Sequence, residues 1–140
     1  MSASPVESSR SALIRIALRY LLVTIVTAVF GAVYEVFSHD VYAYGMLYGF
    51  TFPLAGGMLP ALLLARYGKK LPSDASLQLW HFGISALTVG SLFSGSLEIY
   101  GTSSRLTMVY WLAGGACLLL SLLAAWLLPG ETGEKTVVRL

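Results

Sequence analysis

Apolar positions run along this chain in four blocks, near 17–37, 41–65, 77–100 and 106–128, separated by short polar breaks. An α-helix rises about 1.5 Å per residue, so each block is long enough to cross a hydrocarbon layer of about 30 Å. The pattern predicts an all-α integral membrane protein with four transmembrane helices. Only a few residues join the first block to the second (38–40) and the third to the fourth (101–105). Each pair is therefore expected to form a helical hairpin, and the two hairpins a four-helix bundle over 13–129. Residues 1–12, rich in serine with one proline, are expected to form a disordered tail, and the polar residues 130–140 a second one.

Proline, glycine and serine divide the blocks further. The second block carries no charge but holds Pro53, Gly56, Gly57 and Pro60, which predicts a kink or hinge rather than a straight helix. Ser73 and Ser76 are candidate N-caps for the third helix and Ser103 or Ser104 for the fourth, which Pro129-Gly130 should stop. Gly45-x-x-x-Gly49 is a close-approach signature, and Ala113, Cys117, Ser121 and Ala125 give the fourth helix a small-residue face. The hairpins share faint echoes. Glu35-Val36-Phe37 matches Glu98-Ile99-Tyr100 in character, and Leu54-Ala55-Gly56-Gly57 matches Leu112-Ala113-Gly114-Gly115.

Composition removes the soluble alternatives. Of 140 residues, 56% are hydrophobic and 11% are charged, against about 25% charged in soluble domains, and the mean hydropathy is +0.74. No segment is left for a water-soluble catalytic or nucleic-acid-binding domain. The net charge of +2 matters less than its placement. With the N-terminus inside, Arg10, Arg15, Arg19, Arg66, Lys69, Lys70, Lys135 and Arg139 are cytoplasmic and only Arg105 is outside. The positive-inside rule then places both termini in the cytoplasm, and a bacterial inner membrane is the expected setting. The single cysteine, Cys117, excludes an internal disulfide.

Candidate chemistry is concentrated in the third helix. His81, Ser85, Thr88, Ser91, Gly95 and Glu98 recur at spacings of three and four, so they lie within an arc of about 140° along one face. Such a stripe should face the bundle interior. It can serve as a polar or ion path together with Glu35 and His39, or as a surface where helices approach and hydrogen-bond. Glu35 and Glu98 lie at similar depth near the outer end and could share a proton or cation. Glu35, His39 and Asp40 have a spacing that could hold a divalent ion, but interface solvation is the simpler expectation, so no metal is assigned. His39 and His81 fall at opposite ends and cannot clamp one haem within the chain; no cofactor or catalytic residue is assigned.

In size and four-span plan the chain resembles the small multidrug transporters and the small membrane-bound glutathione-using enzymes. Glu35 stands at the far end of the first span, however, where the first family places its glutamate well within it. The Arg and Glu pattern of the second family has no counterpart here, and no family is assigned. The expected function is association without enzymatic activity. Partners are the lipid bilayer and further copies of the chain or other membrane subunits, with no nucleic acid. The alternative is a small cation- or proton-coupled transporter or channel using Glu98, Glu35 and the polar stripe.

Overall fold

A computed structural model describes residues 4–39, 41–67 and 71–128. The regular structure of the described residues is helical: α1 (Pro5–Phe37), α2 (Tyr44–Leu47), a π-helical segment (Phe52–Met58), α3 (Leu59–Arg66), α4 (Asp74–Ile99) and α5 (Leu106–Leu127). Four stretches, Glu7–Phe37, Tyr44–Arg66, Asp74–Ile99 and Leu106–Leu127, are long and apolar enough to cross a membrane.

α1 starts well ahead of Ala17, within the stretch expected to form a disordered tail. A capping box sets its start: Glu7 N–H donates to Ser4 Oγ at 3.3 Å, Ser4 N–H donates to Glu7 Oε2 at 3.2 Å, and Pro5 occupies the first turn. The extension buries Ser9, Ala12, Leu13, Ile16 and Ala17 on one face and leaves Arg10, Arg15 and Arg19 exposed on the other. Ala12 and Leu13 pack with Ala65 and Leu71 in a small apolar cluster, which gives this end of the helix a tertiary reason to form.

The second span is interrupted, as its prolines and glycines predict. A turn follows α2, and the chain then runs as π-helix from Phe52 until α3 resumes regular geometry at Leu59. Ser73 caps α4 by accepting from Ser76 N–H at 3.4 Å. Ser104 Oγ accepts the Leu106 N–H at the start of α5 at 3.2 Å. Pro129-Gly130 lies outside the described residues.

α1 packs along the π-helical segment and α3, α2 and the π-helical segment pack on α4, and α4 packs along α5. Both hairpins are thus present, and α4 stands between the interrupted span and α5. The α4–α5 contact is reciprocal. Ser76 Oγ donates to Ser121 O at 2.9 Å and Ser121 Oγ to Ser76 O at 2.6 Å. Further along, a Cβ on Gly83 would lie 3.1 Å from Gly114 O, and one on Gly114 would lie 3.1 Å from Gly83 O. Ser76, Gly83 and Gly90 recur every seven residues, the repeat of a left-handed helix pair. The small-residue face expected on α5 divides between this contact and the exterior. Ser121 is buried and Cys117 half-buried, but Ala113 and Ala125 are exposed, and Tyr110, Gly114 and Leu118 meet α4 instead.

Candidate functional site

Pro60 has no N–H, so it cannot make the helical hydrogen bond to Gly56 O four residues earlier. The carbonyl is taken instead by Trp80 Nε1–H of α4, at 2.6 Å. Next to it, Gly57 leaves room for the ring of Tyr20, whose Cδ1 lies 2.1 Å from where a Cβ would be. The Tyr20 hydroxyl hydrogen-bonds His81 Nδ1, joining α1 to α4. With the phenol donating, the imidazole proton sits on Nε2. One turn further along α1, Thr24 Oγ1 donates to Tyr20 O at 2.7 Å. Prolines and glycines in one span thus create the openings that an indole and a phenol from two other spans fill.

This junction borders two cavities. The larger, about 400 Å³, is walled by all four spans, with Leu13, Ile16, Ala61, Leu77, Leu122 and Ala125 among its lining. Among the described residues no charged side chain lines it. The smaller, about 240 Å³, lies against the other side of Ile16, Tyr20 and His81 and is completed by Arg19, Val23 and Ser85. A third recess, between Tyr34, Phe37 and Ser38 on one side and Ile99 and Tyr100 on the other, lies at the far ends of α1 and α4.

The polar stripe of α4 divides along its length. His81 is half-buried at the junction and Ser85 is exposed beside Arg19. Thr88 is buried and donates to Ile84 O at 2.8 Å. Ser91 donates to Gly45 O at 2.5 Å, and Gly95 lies so close to Met46 that an added Cβ would be 2.5 Å from its backbone nitrogen. Gly49 packs against the Leu92 side chain. The middle of the stripe is therefore a helix–helix contact in which Gly45 meets Ser91 and Gly95, and Glu98 beyond it is exposed. Glu35 differs from Glu98: its Oε1 is buried and has no hydrogen-bond partner. Among the described residues no ion pair joins either carboxylate to Arg105. His39 is exposed with φ 53°, and its Nδ1 bonds Phe37 O at 2.9 Å. Asp40 lies outside the described residues, and among the described ones no three His, Cys, Asp or Glu side chains form a metal-binding group.

Tyr20 and Trp80 are not among the candidate site residues that the sequence pattern singles out. The signal nearest to it in the sequence is Pro60, which has no N–H to offer Gly56 O. No protein-family model, curated protein or solved structure matches the chain.

Proposed function

We propose that the protein is a multi-pass membrane protein, set in a bacterial inner membrane with both termini in the cytoplasm, that acts by association rather than catalysis, as a homo-oligomer or a subunit of a larger membrane complex. The observation that carries this reading is Gly115. Glycine within a helix costs roughly 1 kcal/mol against alanine. The other glycines described here answer that cost with a neighbour a Cβ would meet or, at Gly101, with a positive φ. Gly115 is mid-span in α5 with nothing within 4 Å of a Cβ. Close approach of a helix from another chain would use that opening. The rest of α5 fits this role: it packs on α4 and leaves Leu112, Leu119 and Leu123 exposed.

Native mass spectrometry from nanodiscs tests the proposal. A defined oligomer or a co-purifying chain, lost in Gly115→Leu, is the expected result; a bare monomer with unchanged mass in that variant overturns it. The buried, unpartnered Oε1 of Glu35 favours a second reading, a proton- or cation-coupled transporter. It requires pH-dependent flux in proteoliposomes that Glu35→Gln and Glu98→Gln abolish.

A further inference from the structure

We propose that the cavity of about 400 Å³ is a binding site for a neutral, hydrocarbon-rich lipid whose polar end is a single carbonyl, held by His81. The volume falls within the range of small-molecule pockets. The occupant's chemistry follows from the donors that remain. Among the described residues the lining holds no charged side chain, so an ionic ligand would be desolvated without a counter-charge from them. Ser76 and Ser121 spend their hydroxyls on each other's carbonyls. The Trp80 indole is committed to Gly56 O and the Tyr20 phenol to His81 Nδ1. His81 Nε2 is left with no hydrogen-bond partner among the described residues. His81 borders this chamber and, with the phenol donating, its Nε2–H matches one acceptor oxygen on an aliphatic body.

The walls also suit entry. Gly57 and Pro60 belong to the interrupted span, where the helical ladder is already broken, and π-helical turns of this kind recur at functional sites. The Tyr20–His81 bond holds the ring so that it borders the chamber. Arg19 lines only the smaller cavity, so the cation is kept from the larger one.

The test uses the full chain in nanodiscs with Trp111→Phe and Trp126→Phe, leaving Trp80 as the fluorescent reporter. Three probes of equal chain length are titrated by mole fraction in the bilayer: 2-tridecanone, tridecane and tridecanoate. The ketone is expected to shift Trp80 emission at about tenfold lower mole fraction than the alkane, the difference one hydrogen bond makes. Tridecanoate should bind no more tightly than tridecane. His81→Phe should bring the ketone to the level of the alkane. Ala125→Phe, at an exposed position that lines the chamber, should remove the response to all three while helical circular dichroism is unchanged. Equal responses to the three probes would mean that bilayer hydrocarbon fills the chamber and would overturn the proposal. So would tightest binding of tridecanoate, or ketone binding unaltered in Ala125→Phe.

Discussion

Gly57 and Gly115 each close a Leu-Ala-Gly-Gly sequence, yet their surroundings are opposite. At Gly57 a methyl group would fall 2.1 Å from Cδ1 of Tyr20, whose ring is held by His81 and cannot swing aside without breaking that bond. Overpacking of this kind costs about 1–3 kcal/mol. Gly57→Ala is therefore expected to lower stability by that amount in a denaturant titration in mild detergent. At Gly115 the same change meets open space and should raise helix stability by roughly 0.5–1 kcal/mol in the monomer. A loss at both positions of equal size would contradict these environments. The Ser76–Ser121 pair allows a finer measurement. Double-mutant cycles between helices in bilayers average about 0.6 kcal/mol, and a Ser76→Ala, Ser121→Ala cycle should return a coupling of that order. A value near zero would mean that the reciprocal bonds add nothing to the packing around them.

Among the elements, the interrupted span shows what could be read from residues and what could not. Pro53, Gly56, Gly57 and Pro60 announce a break, and the capping box Ser4-Pro5-Val6-Glu7 announces the true start of α1, although serine content pointed to a frayed tail. Helix faces were less legible. α5 carries small residues almost all round, so a four-residue stripe through Ala113 and Ala125 looks as good as the seven-residue register the α4 partner selects. Only the partner's Ser76, Gly83 and Gly90 break the tie. The junction was hidden for a related reason: a missing N–H at Pro60 and an indole in the next hairpin are joined by tertiary structure alone. This link is testable. Trp80→Phe leaves Gly56 O without its donor and should cost about 1–3 kcal/mol. Pro60→Ala supplies a backbone N–H that can bond the same carbonyl, so Trp80→Phe should cost at least about 1 kcal/mol less in that background. Equal costs in both backgrounds would show that the two donors do not compete for Gly56 O.

Over the whole molecule, the length of α1 and the placement of charge must agree on one arrangement in the bilayer. A helix of 33 residues is about 50 Å long, well beyond a hydrocarbon core of about 30 Å. Exposed Arg10, Arg15 and Arg19 lie in its first half, and the segment from Tyr20 to Tyr34 is free of charge. Placing Arg19 at the interface sets the turns from Tyr20 to Phe37, about 27 Å, across the core and leaves those from Pro5 to Leu18 outside it, where Ala12 and Leu13 are covered by Ala65 and Leu71. α3 ends at Arg66 on this same side, and α4 begins there after Ser73. In the proposed orientation the described Arg10, Arg15, Arg19 and Arg66 share one face of the membrane and Arg105 lies on the other. In a Cys117→Ala background, a cysteine placed by Thr102→Cys should react with a membrane-impermeant maleimide on intact cells. One placed by Ser11→Cys or Lys135→Cys should react only after the membrane is opened. The reverse pattern would mean that the protein faces the other way, and labelling of Ser11→Cys and Lys135→Cys from opposite sides would mean that one of the four apolar helices does not cross.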